Sequence, residues 1–220
     1  VAGSDVTYTA TATGGSGGKV AKIGVIAPLT GNLSPLGLGI QHSVELAVQE
    51  ANANKTIPGW TLQVAPADDQ ATPDVGKNAA TKLAGDDQVV GVVGTLNSSV
   101  ALQVQPVLAA GNITQVSPAN TNPDLTKDPK TMKRVYPTYF RTCTTDAIQG
   151  PFAAQYLLGA GIKKIATVND KKAYGQGLVD AFTAEFTKGG GTITSAQTIK
   201  PDESNYQSVI STIVLPPLCR

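Results

Sequence analysis

The chain has 220 residues, 41% of them hydrophobic, enough for packed cores in one large domain or two modest ones. Its 17 basic and 16 acidic side chains leave a formal charge of +1, so no electrostatic excess calls for a nucleic acid or an acidic membrane. One histidine and two distant cysteines exclude the usual zinc clusters, and no run approaches the roughly 18 consecutive apolar residues of a membrane span.

In chain order, residues 1–19 carry TYTATATGGSGG, with no helical period and little to bury, and read as a flexible leader. The fold begins near Val20. Ile23-Gly24-Val25-Ile26-Ala27 is a continuous apolar run of the kind a strand buried on both faces needs. Ser34 is placed to cap the next helix with Pro35 at its first position, and Ile40, Val44, Ala47, Val48 and Ala51 form its apolar stripe. Thr61–Ala65 is the second strand. Thr72-Pro73 opens a helix with Val75, Ala79 and Leu83 on one face, and Gly85 ends it.

The same alternation continues. Val89–Val93 is the third strand, and Val100, Val104, Val107 and Leu108 point inward from the helix that follows. Ile113–Val116 is the fourth strand and Tyr139–Thr142 a short fifth. Ile148, Phe152 and Tyr156 mark a helix over 146–158. Beyond it, Ile165–Val168 and Thr192–Ile199 read as strands. The intervening helix carries Leu178, Phe182 and Phe186, and Tyr206, Val209, Ile210 and Ile213 mark a last one. Strands alternating with helices predict an α/β fold of doubly wound parallel sheets. The boundary falls near Thr142–Thr145, giving an N-terminal lobe over 20–143 and a thinner C-terminal lobe over 144–220 with two clear strands. A lobe with so few strands leaves apolar surface exposed or paired elsewhere.

In such sheets ligands bind beyond the carboxyl ends of the strands, so the loops after each apolar run carry the chemistry. After the third strand, Asn97 or Ser98 can cap the next helix and leave backbone N–H groups facing a cleft, a setting suited to a carboxylate or phosphate. Ser and Asn also cap many helices that bind nothing. After the fourth strand, Ser117-Pro118-Ala119-Asn120-Thr121-Asn122-Pro123 is stiffened by two prolines, and Thr121 offers a hydroxyl and an N–H to the same anion. The two loops together make a stronger case than either. In the second region Asn169–Gly177 places Tyr174 at the cleft edge; Gly175-x-Gly177 lacks the third glycine of a dinucleotide fingerprint, because position 180 is Asp. Asp68-Asp69 reads as a solvated, capping pair. His42 shares the polar face of the first helix with Glu45 and Gln49 and reads as a surface residue. No nucleophile elbow, Walker A loop or metal constellation appears, and neither an enzyme nor a cofactor is expected.

Several blocks in order resemble the branched-chain-amino-acid-binding proteins of the type I periplasmic-binding-protein superfamily: IGVIAPLTG, VELAVQEAN, VVGVVGTLNSSVALQVQPVL, SPANTNPDLT, YFRTCTTDAIQGPFAAQYL and NDKKAYGQGLVDAF. The resemblance runs from Lys22 to about Ile213. It implies two lobes closing on an amino acid, with Ser98, Thr121 and backbone groups of Ala119 at the ligand carboxylate and Tyr174 across the cleft. Asn97 and Asn120 complete the expected contacts. Leu36 stands where relatives often offer an aromatic, Asn120 where they often have a small residue, and Thr72 and Asn97 where some carry a disulfide. The resemblance further implies export, to the periplasm or as a cell-surface lipoprotein with its signal removed, and delivery of ligand to ABC permease subunits. It also implies that relatives continue past this chain's last residue and supply there an acid for the ligand's ammonium, so that the second lobe here is truncated. A sensory module of the same fold coupled to a receptor is the alternative. Cys143 and Cys219 can pair, and sequence leaves that open.

Overall fold

The computed structural model describes residues 18–201 and 203–214. The expected leader, apart from its last two residues, and Cys219 lie outside the described residues, and with Cys219 the pairing to Cys143. Fourteen elements follow: β1 (Lys19–Ala27), α1 (Ser34–Ala53), β2 (Trp60–Asp68), α2 (Pro73–Ala84), β3 (Val89–Gly94), α3 (Ser98–Ala110), β4 (Thr114–Ser117), a 3₁₀ turn (Pro123–Leu125), β5 (Tyr139–Arg141), α4 (Asp146–Gly159), β6 (Lys164–Asn169), α5 (Ala173–Lys188), β7 (Thr192–Thr198) and α6 (Gln207–Val214).

The runs at Ile23, Val89 and Ile113 enter or adjoin one sheet, ordered β2-β1-β3-β4-β5 and parallel throughout. Parallel pairing demands covered faces, and the alternation along β1 meets that demand. Val25 and Ala27 pack with Val44 and Val48 of α1 on one face, while Ile26 joins Leu83, Val92, Val100, Val104 and Leu108 on the other. Close helix packing there depends on glycine. A Cβ at Gly76 of α2 would lie 2.3 Å from the Val100 side chain.

β6 and β7 form a separate two-stranded parallel sheet. Among the described residues its core is the cluster of Ala154, Phe182 and Phe186, with Leu157, Leu158, Ile165 and Ile193 against it. α4 and α5 meet where Gly150 leaves no room for a side chain, a Cβ there falling 2.7 Å from the Phe182 nitrogen. Gly150 and Ala154 are thus the buried face of α4. Ile148, Phe152 and Tyr156, whose spacing marked the helix, are 62%, 69% and 70% exposed. Their stripe is real but points away from the core these residues can reach.

Smaller corrections have local causes. Ser34 is already helical, and Leu33 stands at the cap without a side-chain bond, so Pro35 sits one position further in. On α2 the most buried positions are Gly76, Ala80 and Leu83, a stripe turned by one residue from Val75 and Ala79, which are half-buried. Asp69 is fully buried rather than solvated. The two adjacent acids hold a left-handed turn: Asp68 accepts from the Gln70 N–H and Asp69 from the Ala71 N–H, and Gln70 and Ala71 have φ of 49° and 53°.

Candidate ligand site

The chain runs from β1 outward to β2, then returns past β1 to β3, so the sheet's order reverses between β1 and β3. The crevice beyond the carboxyl ends of those strands is where an open α/β sheet binds its ligand. β3 ends on Gly94, whose φ of 134° suits only glycine and whose Cβ would meet the Ile26 carbonyl oxygen at 2.0 Å. That approach brings the Thr95–Asn97 loop against the end of β1 and starts α3 at Ser98.

A buried polar web ties this loop to the one after β4. Gln115 donates to the Gly94 carbonyl at 2.9 Å and Ser117 to the Thr95 carbonyl at 2.9 Å. The Ser117 hydroxyl in turn accepts from the Ala119 and Asn120 N–H groups at 3.1 and 2.9 Å. Asn120 is completely buried and gives its amide to the Leu96 carbonyl, while its oxygen accepts from the Tyr139 hydroxyl at 3.2 Å. Both ends of its side-chain amide are thus engaged inside the protein. Burial pushes the Tyr139 phenol up to about 12, so it stays a neutral donor.

Ser98 occupies the first position of α3, and its hydroxyl lies 3.5 Å from the Asn122 N–H. The two loops expected to converge therefore do so at Ser98 and residues 119–122. At the first turn of α3, the Ser98 and Ser99 N–H groups lie where a helix has no internal acceptor. Asn97 is the capping residue but makes no side-chain cap bond, and its amide oxygen is buried without a partner. Ala119 is half-buried. The Thr121 hydroxyl is buried beside the Asp146 carboxyl rather than turned to an open cleft. Tyr174, in the first turn of α5, is 45% exposed. Its neighbour Ala173 accepts from the Asn122 side-chain amide at 2.8 Å, so α5 is docked on the β4 loop. Gly177 makes that docking possible, because its Cβ position lies 3.1 Å from the Asn122 amide nitrogen and 3.6 Å from an Asp146 oxygen.

Three residues contribute to these loops in ways the sequence reading did not assign. Asp68 accepts from the Leu29 N–H and the Thr30 hydroxyl, shaping the loop after β1. Burial opposes its ionisation, but these bonds outweigh it and hold its carboxyl below the ordinary value. Asn122 makes the contact to α5. Arg141, at the end of β5, sends its guanidinium to the Asn120 and Asn122 carbonyls at 2.7 and 3.0 Å. The strand-end rule that singled out Ser98 also applied to Arg141, and was the available signal. Burial raises the Asp146 carboxyl, with Thr121 and the Arg141 charge opposing the shift. Burial likewise raises the Cys143 thiol, which donates to the Asn120 carbonyl at 3.3 Å.

The sequence profile of the periplasmic binding protein family matches residues 20–214. This chain belongs to that family. Among its relatives, the Leu/Ile/Val-binding protein BraC3 of Rhizobium johnstonii is 38% identical over 192 residues, 87% of this chain and 50% of that protein. An ABC transporter substrate-binding protein of Desulfitobacterium hafniense, solved in complex with Leu, is 26% identical with a TM-score of 0.68, over 87% of this chain and 53% of that one. A solute-binding protein of an ABC transporter from R. palustris, solved with benzoate, is 27% identical with a TM-score of 0.76, over 87% and 51%. These likenesses bear out the type I periplasmic-binding-protein fold and the branched-chain-binding resemblance. The chain spans about half the length of the relatives it matches. Among the described residues no helix is long and apolar enough to cross a membrane, and no group of three metal-ligating side chains converges.

Proposed function

We propose that this chain is the extracytoplasmic substrate-binding protein of an ABC transporter and takes an amino acid of the branched-chain class between two lobes. The observation that carries the reading is the preassembled pair of loops at the sheet's reversal point. There the first turn of α3 at Ser98 faces residues 119–122, which side-chain hydrogen bonds already fix. A carboxylate placed there meets unpaired N–H groups and the Ser98 hydroxyl, each charge-assisted bond contributing roughly 1.5–3 kcal/mol. The lobes divide near residues 142–145, between the five-stranded sheet that ends at Arg141 and the two-stranded sheet that begins at Lys164. Tyr174 then lies on the edge of the second lobe, and closure brings it over the ligand. Permease subunits in the membrane are the receiving partner, and the protein works exported from the cytoplasm.

The bound benzoate of the R. palustris protein favours a second reading, in which the ligand is an aromatic carboxylate without an ammonium group. Isothermal titration with L-leucine, L-isoleucine, L-valine and benzoate decides between them. The first reading expects heat from the aliphatic amino acids and none from benzoate, and a loss of at least about tenfold in affinity for Ser98→Ala, the equivalent of about 1.4 kcal/mol. Binding of benzoate alone would replace it with the second reading. Affinity for leucine that is unchanged in Ser98→Ala would refute the site itself.

A further inference from the structure

The backbone carbonyls of the loop that presents Thr121 are held by the segment that leaves the first sheet. Arg141 Nη1 donates to the Asn120 carbonyl and Nη2 to both the Asn122 carbonyl and the Thr126 hydroxyl, the last at 2.9 Å. The Asp146 N–H donates to the Thr121 carbonyl at 2.9 Å, and the Thr142 N–H to the Ser117 carbonyl at 3.0 Å. Three successive carbonyls, those of Asn120, Thr121 and Asn122, are thus tied to residues 141–146.

We propose that Arg141 is a positioning residue of the ligand site: by bridging the carbonyls on either side of Thr121 it aims the Thr121 N–H at the bound anion. The inference rests on the ligand site proposed above. In a trans peptide the carbonyl and the next N–H point in opposite directions. With the Asn120 oxygen drawn to Arg141 and to the Cys143 thiol, the Thr121 N–H is turned away from them, and it has no acceptor among the described residues. A cation on the carbonyl side of a peptide also polarises its N–H into a stronger donor.

The pattern of Arg141's bonds separates this role from a surface ion pair. The ion pairs of the described residues are Lys22–Asp86 and Lys188–Glu185, and neither includes Arg141. Arg141 is half-buried, and its guanidinium donates to neutral oxygens. A planar fork can span two carbonyls two residues apart; a lysine ammonium, a point donor on a flexible stem, does not reproduce that bridge. Lysine at 141 therefore keeps the charge and loses the geometry.

The test is amide hydrogen exchange by NMR on the unliganded chain, comparing Arg141→Lys, Arg141→Gln and Arg141→Ala with wild type. The reporters are the Asn120 N–H, bonded to Ser117, and the Asp146 N–H, bonded to the Thr121 carbonyl. In all three variants these amides should exchange at least about tenfold faster, while those of Val25 and Ile26 in β1 keep their rates. Millimolar methylguanidinium should restore protection in Arg141→Ala. Unchanged exchange at Asn120 and Asp146, or acceleration equal to that in β1, overturns the proposal, the latter showing only a role in global stability. A second arm titrates L-leucine into wild type and Arg141→Lys, and expects about a tenfold loss of affinity. Equal leucine affinity in the two also overturns the proposal. If wild type takes no leucine, the reading of the ligand fails on its own and the exchange rates still decide the role of Arg141.

Discussion

The two sheets of this molecule are built from the same alternation of strand and helix yet reach different degrees of completion. In the first, five strands receive α2 and α3 on one face and α1 on the other, and the apolar residues of β1 divide between two buried clusters. In the second, two strands and the α4–α5 pair share one cluster, and α4 turns Ile148, Phe152 and Tyr156 to solvent. The difference teaches that apolar periodicity reports a helix's capacity to be buried, whereas the number of strands alongside decides whether that capacity is used. The first sheet is not uniformly covered either. Beside α1 an open apolar groove of about 550 Å³, lined by Leu36, Ile40, Val44, Val93 and Pro118 among others, follows the edge of the single helix on that face.

The contrast can be broken most sharply at glycines. Gly94→Ala in the first region should prevent stable folding, at a cost above about 5 kcal/mol, because its Cβ would overlap the Ile26 carbonyl in a backbone conformation that resists side chains. Gly159→Ala at the end of α4 meets nothing within 4 Å and should instead stabilise by about 0.5–1 kcal/mol. Urea unfolding measures both, and similar effects would remove the contrast. Next in size, Phe186→Ala empties the centre of the Ala154–Phe182–Phe186 cluster in the second region and should cost about 3–5 kcal/mol. Hydrogen exchange should then show β6 and β7 losing protection before β1.

A smaller effect sharpens the account of the first region's polar ends. Burial raises the Asp69 carboxyl to about 6 from the ordinary 3.8, helped by the charge of Asp68 and opposed by the Ala71 N–H. Because the folded state holds the proton more tightly, the stability this group contributes is full below 3.8 and is lost as pH rises through about 6. Asp69→Asn should therefore stabilise the protein at pH 7.5 by about 1–2 kcal/mol, allowing for relaxation of the turn around the charge, and flatten the dependence between those values. Melting temperatures at pH 4 and pH 7.5 test the sign. Smallest of all, Phe152→Ser should alter stability by no more than about 0.5 kcal/mol. It should visibly lower binding of an apolar dye to the second region, and a large destabilisation would mean that Phe152 is covered.

The sequence carried the strand order's main consequence, since the loops after the third and fourth apolar runs were the ones that meet at Ser98. Their convergence was legible because strand ends in a parallel sheet share one edge. Side-chain direction within those loops was not. Asn120 and Thr121 are both short and polar, and only the three-dimensional path of the loop turns the first toward Leu96 and Tyr139 and sets the second beside Asp146. Asp69 read as a surface acid because adjacent acids usually are; its burial follows from the pairing of β1 with β2 and from Gly76 bringing α2 close. Arg141 lay in a three-residue strand with no periodicity of its own, and its role depends on carbonyls that no residue pattern displays.

In the proposed function the ends of β3 and β4 form a ready-made anion site. An NMR titration with L-leucine tests it most directly, by following every backbone amide of the chain. The largest shifts should fall at Ser98, Ser99 and Thr121, with smaller ones at Tyr174 and none at the exposed stripe of α4. Saturable shifts centred elsewhere, such as on the apolar groove beside α1, with Ser98 and Thr121 unmoved, would contradict it.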